Sequence, residues 1–130
     1  MAGECPTFGM EFGYWRCCVY AISDGTGNVK VGVAQHPVAR RDALQIGNAY
    51  GLQVLFYFWC KNRSEANRYE KRIHSRVSDC AVLGGREWFR ISWHDAYHVF
   101  SEESSDVVIH TSEKDHVWWH VSSMELTHGR

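Results

Sequence analysis

The chain has 130 residues, 45% of them hydrophobic and 22% charged, the size and composition of one compact domain rather than a large multidomain enzyme. Fourteen Lys and Arg against fifteen Asp and Glu leave a formal charge of -1. No global basic field therefore points to nucleic acid or to a membrane, and a nucleic-acid partner would have to use a local patch. Six Trp, six Tyr and six Phe supply bulky apolar surface for a core without disulfide or metal staples, which excludes a disordered chain.

The five cysteines, Cys5, Cys17, Cys18, Cys60 and Cys80, are odd in number and contain no CxxC pair, so neither a secreted disulfide framework nor a zinc ribbon fits. The N-terminus MAGECPTFGMEFGYW lacks a basic start followed by an apolar run, and no window reaches the roughly 18 uninterrupted apolar residues of a spanning helix. These features predict a soluble protein of a reducing cytoplasm with no membrane partner, in which most thiols are small buried hydrophobes.

In chain order, Trp15 to Ile22 is a β-rich run, SDGTGN is turn chemistry and Val29 to Ala34 is a second short run, together a β-hairpin with a six-residue loop. Pro37 suits the first position of a helix and Gly47 with Asn48 a left-handed stop, which predicts a helix of about ten residues over PVARRDALQI. Leu52 to Cys60 is apolar nearly throughout, as in a strand buried on both faces at the centre of a sheet.

Ser64 is placed to cap the next helix, where Ala66, Tyr69, Ile73 and Val77 fall on one face about 80° wide. Arg68, Lys71 and Arg72 take the solvated face, but Glu70 projects about 40° from Ala66, inside the apolar stripe. Burying an unpaired charge is costly, so a carboxylate there needs a cavity, a metal or a cationic partner beside it.

Gly84 to Ile91 reads as a turn feeding a short strand. Ser92 opens a last helix, Trp93 to Glu103, with Asp95 three residues on and Trp93, Ala96, Tyr97 and Phe100 on one face. SEESSD reads as a solvated loop, and DVVIH and HVWWHV as two further short strands. The order β, β, α, β, α, β, α predicts an α+β fold, a small mainly antiparallel sheet flanked by helices. Residues 1–14 form an N-terminal segment, 15–103 the domain and 104–130 a C-terminal β extension. Trp118 and Trp119 would face opposite sides of a strand, so an aromatic left exposed there would suit a homodimer or a protein partner.

Cys18-Val19-Tyr20, followed after the hairpin by Lys30-Val31-Gly32, resembles the paired tripeptides of the GIY-YIG nuclease superfamily. HPVARRDALQIGNAYGL resembles the helix after the second tripeptide, with Arg40 on the family arginine, and EANRYEKRIH the helix that carries the metal-binding glutamate, Glu70. GREWF, Gly85 to Phe89, is similar to the GEWF segment of short variants found in phages and in fungal meiosis genes. The resemblance covers roughly Arg16 to Trp93 and departs from the family at Cys18, for the first glycine, and at Lys30, for the tyrosine of the second tripeptide.

The resemblance implies a GIY-YIG-like fold and a metal-dependent endonuclease that hydrolyses phosphodiester bonds in DNA. A tyrosine, here Tyr20, or a metal-bound hydroxide helps activate water, Arg40 steadies the phosphate, and Glu70 holds a single Mg²⁺ or Mn²⁺. Lys30 occupies the catalytic place of the second tyrosine and either substitutes as a charge or lowers activity. His74 stands where similar short variants often carry a histidine, four residues after Glu70 and on its face.

The residues by themselves are compatible with those roles, because cleavage needs an ordered nucleophile and charge stabilisation, and Arg recognises phosphate bidentately. Each also has a plainer reading: Tyr20 as a core tyrosine, Arg40 as a solvated helix residue, and Glu70 as a buried ion-pair partner, with Arg40 as its candidate cation. Glu87 could approach the same cleft or sit as an exposed edge carboxylate, while Trp88 and Phe89 read as core. Lys61, Arg63, Arg68 and Lys71, continued by Arg72 and Arg76, are a local basic run that can track a nucleic-acid backbone or simply be solvated. His94 and His98 lack a cysteine or carboxylate at zinc-site spacing. The competing function is the same scaffold with weakened chemistry, acting as a nucleic-acid-binding or protein-binding module in phage-host conflict.

Overall fold

The computed structural model describes residues 16–111. In chain order they form β1 (Cys17–Ser23), β2 (Asn28–Ala34), α1 (Pro37–Gln45), β3 (Gln53–Cys60), α2 (Arg63–Arg76), a 3-10 turn (Ser78–Cys80), β4 (Trp88–Arg90), α3 (Trp93–Glu103) and β5 (Ile109–His110). The five strands make one antiparallel sheet in the order β4-β2-β1-β3-β5, the α+β arrangement expected. Among the described residues no helix is long and apolar enough to cross a membrane.

Strand alternation divides the core into two layers. Cys17, Val19 and Ala21 of β1 point with Val29, Val31 and Phe58 toward α2 and α3, which contribute Ala66, Ile73, Val77, Ala96, Val99 and Phe100. Cys18, Tyr20 and Ile22 point the other way, onto Ala34, Leu52, Val54 and, from α1, Leu44. Both faces of β1 are thus covered, and all of Cys17 to Ile22 is buried. The centre of the sheet is β1 rather than β3, which was expected there from its apolar run. Among the described residues β3 pairs on its outer side with the two residues of β5, and Tyr57 and Trp59 are half-buried.

Other local readings shift by a residue or two. Ser23 and Asn28 belong to the strands, which shortens the expected six-residue hairpin loop to four residues. The Asp24 carboxylate closes it by accepting from Thr26 N at 2.8 Å, Thr26 Oγ1 at 2.7 Å and Asn28 Nδ2 at 3.1 Å. The cap of α2 is Asn62, whose Oδ1 accepts from Glu65 N at 2.9 Å, and not Ser64, which lies inside the helix. Asn offers the same reach to that amide as Ser. Pro37 opens α1 and Ser92 caps α3 as expected. That last helix ends at Glu103 as expected, but Ser104, in the segment expected to be a solvated loop, is fully buried. DVVIH supplies β5, and HVWWHV lies outside the described residues.

One close approach joins the two strands that carry the tripeptides. Tyr20 faces Gly32 across the β1–β2 ladder, and a Cβ built on Gly32 would lie 2.4 Å from Tyr20 Oη and 2.6 Å from Cζ. Because Tyr20 is only 1% exposed, its ring has little room to yield. Gly32→Ala should therefore destabilise the fold by about 1–3 kcal/mol, the usual cost of overpacking. In a Tyr20→Ala background the same change should be neutral or slightly stabilising, because Ala loses less backbone entropy in a strand than Gly. Urea denaturation of the four proteins in this cycle checks both signs.

Candidate functional site

Tyr20 and Lys30 are brought together by strand register. Lys30 pairs with Ile22 and Gly32 with Tyr20, so Lys30 and Tyr20 are diagonal neighbours on the face that α1 covers. Burial pushes the Tyr20 phenol above its ordinary pKa, and the Arg40 guanidinium at its hydroxyl offsets part of that rise. Tyr20 is thus a neutral phenol at physiological pH, and Arg40, exposed on α1, is its charged neighbour.

Lys30 is 6% exposed. Its Nζ lies 2.8 Å from Glu87 Oε1 and 5.9 Å from the centre of the Trp88 ring. The Glu87 carbonyl accepts from Val31 N at 3.0 Å, where the three-residue ladder between β2 and β4 ends. Beyond that point α2 supplies the partner: His74 Nε2 is 2.9 Å from Val31 O. A carbonyl only accepts, so Nε2 carries the hydrogen and a neutral His74 presents an unprotonated Nδ1.

Glu70, one turn earlier on α2, places Oε2 3.8 Å from His74 Nε2, within ion-pair range but too far for a hydrogen bond. Its carboxylate accepts no hydrogen bond from the described residues. Burial raises its pKa, the charges of His74, Lys30 and Arg63 lower it, and Glu87 raises it further. Arg40, expected as its cationic partner, is not among those charges. Arg40 lies with Tyr20 on the α1 face, whereas Glu70 projects from the helix on the other.

The Lys30–Glu87 pair was not anticipated from the sequence, although Glu87 was placed as a group that could approach the cleft. The expected basic track divides. Arg63, in the first turn of α2, sits at the helical angle of Glu70 and His74 and acts on Glu70, and Lys61 is exposed just before it. Arg68 and Lys71 point about 100° or more away from Glu70, into a shallow groove of about 510 Å³ shared with Arg72, Ser75, Arg76 and Glu103. There Arg72 bonds Glu103 at 3.2 Å and Arg76 bonds Glu102 at 2.7 Å and Glu103 at 3.2 Å. His94 stacks on Trp93 and His98 pairs with Glu102 at 2.9 Å.

Among the described residues no three His, Cys, Asp or Glu side chains converge as a metal-ligand group. The donor chemistry of Glu70 nevertheless suits a hard cation held by one carboxylate, because Mg²⁺ keeps most of its waters and takes one or two carboxylates plus substrate oxygens. A half-buried carboxylate with no hydrogen-bond donor of its own is free for that use.

The family model described as the T5orf172 domain matches residues 17–104, which include all the residues of this cluster. No curated protein and no solved structure matches the chain.

Because the Glu70 pKa is raised in the folded state, its contribution to stability is greatest in acid, where the carboxyl is protonated. That contribution declines as pH rises through the folded pKa. Glu70→Gln should therefore melt level with wild type or up to about 4 °C above it at pH 7. The difference should close below the ordinary carboxylate range, as a pair of melting curves across pH will show.

Proposed function

The chain belongs to the T5orf172 domain family, a phage-associated family related to nucleases, and from that premise we propose that it is a metal-dependent DNA endonuclease with a GIY-YIG-like site. The observation that carries the reading is two polar groups on opposite faces of the sheet whose charges act on each other across β2: a buried phenol beside a guanidinium (Tyr20, Arg40) with a buried ammonium (Lys30) on the α1 face, and a carboxylate beside an imidazole (Glu70, His74) on the α2 face.

In this reading Arg40 and Lys30 engage the non-bridging oxygens of the phosphodiester, the fork of Arg40 giving two parallel hydrogen bonds. Tyr20, neutral and held by its burial, orients the attacking water by hydrogen bonding. His74, with Nε2 bonded to the Val31 carbonyl, offers Nδ1 to the proton that the attacking water gives up. Glu70 holds one Mg²⁺ or Mn²⁺, which when bound supplies charge stabilisation at the phosphate and the leaving oxygen. Arg63 and Lys61 extend the positive field along the DNA backbone, and Arg68 and Lys71 add a second, outward-facing patch.

Nicking of supercoiled plasmid with Mg²⁺ or Mn²⁺ tests the proposal. Wild type should nick and EDTA should stop it. Glu70→Gln, Arg40→Ala and Tyr20→Phe should each lower the rate by about 100-fold or more, while Glu70→Gln stays folded. A wild type that binds DNA but nicks with neither cation would replace this reading with that of a binding module built on the same scaffold.

A further inference from the structure

Among the described residues Glu87 is the one non-glycine with left-handed backbone, φ +68°. An L-residue there is strained relative to glycine, and such strain persists where neighbouring interactions hold it in place. Glycine would relieve it, and the same loop already uses glycine at Gly84, φ +81°. A glycine at 87, however, would give up the carboxylate that lies 2.8 Å from Lys30 Nζ.

That contact is the hydrogen bond that fixes the Lys30 ammonium. Two anchors determine where the carboxylate reaches: the Glu87 carbonyl bonded to Val31 N at 3.0 Å, and the next residue, Trp88, paired with Lys30 across the ladder. The Glu87 charge also acts on both Tyr20 and Glu70.

Resting on the nuclease reading above, we propose that Glu87 is a positioning residue that holds the Lys30 ammonium at a fixed point beside Tyr20, already oriented toward a phosphodiester oxygen. An ammonium has three donors; one is used by Glu87 and two remain for the substrate. The strained backbone is the geometry that lets a side chain from the loop before β4 reach back to β2.

The test compares full-length wild type, Glu87→Gln and Glu87→Gly. The ammonium signal of Lys30 is followed by ¹⁵N-lysine NMR, among four lysines (Lys30, Lys61, Lys71 and Lys114), together with melting temperature and steady-state nicking with Mg²⁺. The Lys30 signal should be protected from exchange in wild type and lost in both variants, and Glu87→Gly should melt no lower than Glu87→Gln because it relieves the backbone. The kcat should fall at least about tenfold, as for a misplaced charged group, with KM for DNA within about twofold. A Lys30 signal unchanged in both variants, or kcat intact in both, overturns the positioning role. A wild type that never nicks, while its Lys30 signal still depends on Glu87, overturns the nuclease reading and leaves the positioning of Lys30 standing.

Discussion

The absence of a side chain at Gly32 is the constraint on which the polar cluster depends. Tyr20 lies on the central strand, where both faces are covered, so its ring cannot point to solvent and must lie along the sheet. It does so over the backbone of β2, in the space a Cβ at residue 32 would occupy. The phenol oxygen is thereby carried from the middle of the sheet toward the outer side of β2, within the fields of Arg40 and Glu87. A bulkier residue at 32 would move the ring before it moved anything else.

The second determinant is the shortness of β4. β2 has seven residues, but β4 pairs with three of them, Asn28 to Lys30. Beyond the ladder an edge strand presents unpaired backbone groups, and here Val31 is completed by the Glu87 carbonyl and by His74. The interruption brings the loop before β4 and the α2 helix to one stretch of β2. Groups from opposite faces of the sheet, Lys30 on one and Glu70 on the other, then act on each other electrostatically. A β4 long enough to pair along all of β2 would occupy that edge and separate them.

Much of this was legible in the sequence. The helical stripe of α2 put Glu70 among apolar neighbours, and the carboxylate is half-buried with its pKa raised by that burial. Pro37, Gly47 and Ser92 marked helix ends because their chemistry is local. What failed was non-local. The apolarity of LQVLFYFWC is the same for a central strand and for one beside a short edge strand, so strand order could not be read from it. The partner of Glu70 could not be read either, because spacing along the chain does not say which face of the sheet a helix covers. Arg40 went to Tyr20 for that reason. The Lys30–Glu87 pair spans fifty-seven positions, and its backbone signature, a left-handed glutamate, has no counterpart in composition.

On the nuclease reading, the electrostatics divide labour between Tyr20 and His74 more sharply than the tripeptide resemblance does. Burial keeps the phenol protonated, so using it as a base at neutral pH would mean ionising a group whose environment opposes the charge. His74 is under the opposite constraint: the Val31 carbonyl fixes its hydrogen on Nε2, which leaves Nδ1 as the nitrogen with a lone pair. The phenol can donate to or accept from a water without a change of charge, and the imidazole can take the proton that attack releases. A lysine in place of the second tyrosine then removes no base. It adds a positive charge, held by Glu87, on the side of the cluster where negative charge would build up on the phosphate.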